Sequence, residues 1–112
     1  MKIEDELKKG VDEYIQAAVE DEEKSRKRAA TIMYFKAIGT ICDYMIYSKL
    51  KKVPDNHNER FRILENHFPE LYSILNGLFP IYQQTYRSDI NTEQLEMIKN
   101  GLRKVKELAC LE

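Results

Sequence analysis

The 112-residue chain has no tryptophan, only two cysteines, three prolines and four glycines. Cys42 and Cys110 stand far apart and belong to no CxxC spacing. That excludes a disulfide framework and a zinc site of the usual kind. The shortage of Gly and Pro removes the turn punctuation of an all-β chain and leaves room for long helices. There is no Gly-rich phosphate loop, no HExxH and no GxSxG, so the common phosphate, zinc-protease and serine-hydrolase motifs are missing. The two histidines, His57 and His67, are separated across an expected helix end and form no ligand signature. Each reads as a surface or capping histidine, and neither metal nor cofactor is implied. Net charge is −1, which gives no global drive toward nucleic acid or anionic lipid. The opening MKIEDELKKG is too charged for a signal peptide, so a cytoplasmic location is the expectation.

What the chain does have is one strongly apolar stretch, Ala29 to Leu50, AATIMYFKAIGTICDYMIYSKL. Two apolar stripes run along it at helical spacing: Tyr34, Ile38, Ile41 and Met45, and beside them Phe35, Gly39, Cys42, Ile46 and Leu50. Lys36, Thr40, Asp43 and Tyr47 form a single narrow polar stripe. A helix apolar nearly all round is normally buried. This one is too often interrupted by polar groups to cross a bilayer, which needs ~20 mostly apolar residues. The spacing predicts the central helix of a small bundle, with Ile41, Cys42 and Met45 buried. Solvent exposure or a local pairing accounts for Lys36 and Asp43.

The flanking segments are also helical in pattern. A first helix is expected from Ile3 to Glu22, with Ile3, Leu7, Val11, Tyr14 or Ile15, and Ala18 on one face. Residues 20–28 are ambiguous. The i,i+4 pairs Glu20–Lys24, Glu22–Arg26 and Glu23–Lys27 favour continuing the helix. An unbroken helix to residue 51 could not fold back to bury both apolar faces, so a short break is placed near 22–26. The second helix ends near Lys51, ahead of Pro54. Asn58 or Asn56 caps a short third helix with Phe61, Leu64 and Phe68 facing inward. Pro69 opens a fourth helix, carrying Leu71, Leu75, Leu78 and Tyr82. Asn76-Gly77 and Pro80 kink or break it, a kink being favoured. Asn91 or Thr92 caps a fifth helix, with Gln94 placed for a capping box. Leu95, Ile98, Leu102 and Val105 line its apolar face. The expectation is one all-α domain over residues 1–112, an up-and-down helical bundle of four long helices plus a short one.

Charge is unevenly placed. Residues 1–23 carry a net −6, residues 24–62 a net +7 and the remainder −2. The plain interpretation sets the acidic first helix beside the basic start of the second as a solvated face. The other is a basic surface for RNA or an acidic partner, built on Lys24, Arg26, Lys27 and Arg28.

One pair of side chains has the letters of a reaction. Arg62 and His67 stand five residues apart, with Arg60 to His67 a looser version. Imidazole as general acid or base and guanidinium as a stabiliser of phosphorane charge can cleave RNA without metal.

The segment YFKAIGTICDYMIYSKLKKVPDNHNERFRILE, with FPELYSILNGLFPIYQQTYRSDINTEQLEMIKNGLRKVKEL after it, resembles the small archaeal and bacterial HEPN-domain proteins. The marks are the run Tyr34-Phe35-Lys36-Ala37 in the second helix, the Pro54-x-x-His57 loop, and Tyr86-Arg87 before the last helix. The likeness covers roughly residues 10–108. It implies a four- or five-helix up-and-down bundle, often dimeric. Many HEPN-domain proteins are encoded beside minimal nucleotidyltransferases in toxin–antitoxin pairs. Some are metal-independent ribonucleases with an R-x4–6-H motif just before the last helix. Arg87 matches that arginine here, but no histidine follows it, and Arg62–His67 lies one helix earlier. The resemblance therefore favours a non-catalytic homodimeric interaction module that partners a nucleotidyltransferase. The alternative is a ribonuclease using Arg62 and His67 or Arg87. A third reading is a structural or regulatory bundle that reached the same topology by convergence.

Overall fold

A computed structural model describes residues 2–111; Met1 and Glu112, the ends of the domain expected over 1–112, lie outside the described residues. Five helices follow in order: α1 (Ile3–Glu23), α2 (Lys27–Leu50), α3 (His57–His67), α4 (Pro69–Gln84) and α5 (Thr92–Leu108). The described residues are all-α with no strand, an up-and-down bundle of four long helices and the short α3. The radius of gyration is 13.4 Å.

The hub is α2, which packs against all four other helices. Its apolar stripes account for this: Tyr34, Phe35, Ala37, Ile38, Ile41, Cys42 and Ile46 are all buried. Against them lie Val11 and Ala18 from α1, Leu64 from α3, Leu71, Leu75 and Leu78 from α4, and Leu95, Ile98 and Val105 from α5. Ile41 and Cys42 are buried as their spacing predicts. Met45 is only half-buried, because it sits where α2 meets the α3–α4 corner, beside His67, Phe68 and Leu71. Burial pushes the Cys42 thiol up to about 12, with the neighbouring Asp43 charge adding to the effect.

Local chemistry sets the helix ends. Glu4, Asp5 and Glu6 occupy the first turn of α1, where negative charge meets the positive end of the helix dipole. The break expected near 22–26 falls at Lys24–Arg26. No glycine makes it. Ser25 takes a left-handed conformation, φ 59°, and the Arg26 N–H returns to the Asp21 carbonyl at 2.8 Å. Lys51 ends α2 the same way at φ 56°. Of the two possible caps for α3, Asn56 is used, its side chain accepting from the Glu59 N–H at 2.9 Å. On α5 it is Asn91, in a reciprocal capping box with Gln94. Helix α4 runs unbroken from Pro69 to Gln84 with Pro80 inside it, which excludes the break. Asn76, Gly77 and Pro80 all face solvent, where water can satisfy the carbonyl that Pro80 leaves unbonded. A Cβ at Gly101 would run into Leu78, so the glycine lets α5 approach α4 closely.

A left-handed residue other than glycine costs roughly 1–2 kcal/mol, and the greater freedom of glycine in the unfolded chain offsets part of that. Ser25→Gly should therefore stabilise the fold by a few tenths to about 1 kcal/mol, read as a raised urea midpoint at unchanged slope. A lower midpoint would show that the α1–α2 turn is not held in this conformation.

Candidate functional site

The polar stripe of α2 does not simply face water. Asp43 is buried, and its partner is not local. The Arg60 guanidinium, from α3, donates from Nε to Oδ1 at 2.7 Å and from Nη2 to Oδ2 at 2.9 Å. Only 15% of the Arg60 side chain and 10% of that of Asp43 are exposed. Such a bidentate, charge-assisted pair is the strong form of the interaction. Burial alone would lower the Arg60 pKa, but the Asp43 hydrogen bond and charge outweigh it and the net shift is upward. The guanidinium packs against Gly39, where an added Cβ would sit 3.7 Å from Cζ and Nη1.

A third group joins this pair. Arg60 Nη1 lies 3.0 Å from His57 Nδ1. Guanidinium can only donate, so Nδ1 accepts and the His57 proton resides on Nε2. The imidazole leans on Phe35, Phe79 and Tyr82, with ring centroids 5.7 to 6.4 Å away. Phe35 and Tyr82 stack at 4.5 Å. Burial among these rings depresses the His57 pKa, and the nearby charges of Arg60 and Lys36 lower it further against the opposing pull of Asp43. Neutral imidazole is therefore the resting form. Burial raises the Tyr82 hydroxyl to about 12, helped by its hydrogen bond with Tyr86.

The capped turn at Asn56 carries His57 over this aromatic wall. Further along α2, Lys36 and Thr40 continue the polar stripe beyond Gly39, and Tyr14 of α1 stands on the far side. Together they enclose an open cleft of about 430 Å³, with α2 as its floor and α1 and α3 as its walls. Pockets of about 300–1,000 Å³ hold small ligands. The cleft contains two features the sequence reading missed: a buried Asp43 and an Arg60 committed to it. His57 is exposed at the start of α3, as expected of a surface or capping histidine, and in addition meets Arg60 and the aromatic wall. The available signal was Asp43 itself, a carboxylate in a helix otherwise apolar nearly all round.

The residues singled out for catalysis do not converge. Arg62 and His67 are both exposed on α3. The helix continues through His67, so five residues at ~100° each turn them about 140° apart after one full revolution. Within one chain, only a helix ending between them could have aimed both at one phosphate; otherwise a dimer interface would have to bring one residue from each chain together. His67 ends α3, just before α4 begins, and Arg87 lies just beyond the end of α4. The intervening 16 residues span about 24 Å. Arg87 borders a separate depression with Gln83, Gln84 and Ser88.

The basic stretch is exposed at Lys24, Arg26, Lys27 and Arg28. Two of these charges are paired, Arg26 with Asp21 at 3.0 Å and Arg28 with Asp89 at 2.9 Å. The acidic end of α1 also reaches across to α5: Glu22 accepts from Lys99 at 3.0 Å and from the Tyr34 hydroxyl at 2.9 Å. Among the described residues no helix is long and apolar enough to cross a membrane.

Comparison of the chain with family models, with curated proteins and with solved structures finds no match.

Two outcomes test the site. Removing one member of a buried ion pair strands the other, at a cost of about 3–5 kcal/mol. Asp43→Asn should lower the urea-derived stability by that order, and the double replacement Asp43→Leu, Arg60→Met should be less destabilised than Asp43→Asn alone. An equal or larger loss in the double variant would mean the pair is not stranded by the single change. The second outcome concerns pH. The folded-state pKa of His57 lies below its unfolded value of 6.5, so below that value the unfolded chain binds the proton more readily. The His57 contribution is intact above about pH 6.5 and is lost as pH falls through the depressed folded value. A His57→Gln variant should lack this loss in a pH series of thermal melts; identical profiles for the two proteins would contradict it.

Proposed function

We propose that this chain is a non-catalytic, HEPN-like helical interaction module that works as a homodimer and partners a minimal nucleotidyltransferase in a toxin–antitoxin-type pair. The observation that carries the non-catalytic reading is the divergence of Arg62 and His67 on an unbroken α3. Metal-independent RNA cleavage needs acid–base and charge-stabilising groups within reach of one phosphate, and neither Arg62 nor Arg87 has a histidine of its own chain so placed. The five-helix order agrees with the HEPN likeness drawn from Tyr34-Phe35-Lys36-Ala37, Pro54-x-x-His57 and Tyr86-Arg87. Exposed apolar side chains at Val19, Met97 and Tyr86 offer contact area for a second copy or a partner.

A second reading, ribonuclease activity, has one observation in its favour. Arg60 and His57 bring guanidinium and imidazole together at 3.0 Å. Against it, His57 Nδ1 is occupied in accepting from Arg60 and Nε2 carries the proton, so the ring has no free lone pair to take the 2′-hydroxyl proton.

Incubation with mixed RNA in chelator should leave the RNA intact for the wild type, for the double variant Arg62→Ala, His67→Ala and for His57→Gln. Cleavage by the wild type that is lost in either variant would replace the non-catalytic reading. Light scattering should give the mass of a dimer, and affinity purification from the native host should recover a nucleotidyltransferase. A monomer that recovers none would sink the interaction role.

A further inference from the structure

We propose that the cleft over α2 binds a single small oxyanion group, a phosphate or a carboxylate, on donors supplied by Arg60, His57 and Lys36. This inference is independent of the interaction role and of any RNA chemistry.

The donors can be counted. Guanidinium has five N–H groups. Asp43 takes one from Nε and one from Nη2, and His57 takes one from Nη1. One N–H remains on each of the two terminal nitrogens, and Arg60 lines the cleft. Asp43 and His57 hold the group in a fixed orientation, so little further side-chain freedom is lost when a ligand binds. His57 also lines the cleft. Its Nδ1 accepts from Arg60, so its second nitrogen is an N–H donor. Lys36 stands exposed at the rim and adds a full positive charge. Arg60 is therefore poised for recognition in a way that Arg62 and Arg87, exposed and unbraced, are not.

Burying the pair also has a cost that an apolar pair of similar volume would avoid. A braced arginine on the wall of a cleft is what a ligand with two acceptor oxygens requires.

The same cleft limits the ligand. Asp55 lines it as well and carries an exposed carboxylate. A polyphosphate would meet that charge, whereas one oxyanion group sitting between Arg60 and Lys36 need not. The guanidinium rests on the floor at Gly39, and the aromatic wall behind His57 keeps water from one side of the site.

The test is a titration of the full chain followed by ¹⁵N–¹H correlation spectra, with inorganic phosphate in one arm and benzoate in the other. At least one arm should give saturable shifts at Gly39, His57 and the Arg60 side-chain Nε, with half-saturation near about 1 mM. The arm that saturates identifies the group as tetrahedral or planar. Lys36 is exposed and Asp55 is on a loop, so variants at both retain the fold. Lys36→Ala should weaken binding by roughly threefold to tenfold, and Asp55→Asn should tighten it by about threefold. The proposal is overturned if neither probe saturates, if the shifts collect at residues 24–28 instead, or if both variants titrate like the wild type.

Discussion

The arrangement around α2 depends on one buried ion pair. A carboxylate in the middle of an otherwise apolar helix must find a partner or lose its charge. Asp43 finds Arg60 on the next helix, through two short hydrogen bonds. That contact ties α3 to α2 along a flank where α3 offers little apolar surface, since Leu64 is its only fully buried side chain. It also determines the imidazole proton. With Arg60 immobilised, His57 Nδ1 must accept, and the aromatic wall of Phe35, Phe79 and Tyr82 keeps the ring neutral. The cleft, its donors and the orientation of α3 follow from one acidic residue.

Most of the fold was legible in the sequence, because helices of this kind are written in local spacing. The stripes of Ala29–Leu50, the Pro69 start of α4 and the Asn91–Gln94 box each involve residues within a few turns of one another. The α1–α2 break was legible only as a geometric need, since Ser25 adopts a conformation that its side chain does not advertise. Met45 was misjudged because periodicity says which face a residue is on, and not where the neighbouring helix stops. The cleft was not legible for a related reason. Lys36, Thr40 and Asp43 repeat at the spacing of a solvated stripe, and nothing local distinguishes an aspartate facing water from one facing an arginine 17 residues away. His57 looked like a capping residue, and it does begin a helix; its contacts with Phe79 and Tyr82 come from α4, beyond the reach of spacing.

The Arg62–His67 pair illustrates the converse. Its letters suggest chemistry, yet a regular helix converts a separation of five residues into divergence. Arg60 and His57, three apart, share a face by the same geometry and do meet. In an all-helical protein, spacing modulo the helical turn says more about a joint task than closeness in the chain does.

The attachment of α1 has a consequence of its own. At backbone range this helix approaches α2 alone. It meets α5 only through side chains, at Glu22–Lys99 near one end and around Leu111 near the other. Only Val11 and Ala18 among its residues are fully buried. With a single helix to lean on, α1 has the long face it shares with α2 as its whole attachment at backbone range. Displacing it would withdraw the Tyr14 wall of the cleft and leave the floor on α2 and the Asp43–Arg60 pair in place.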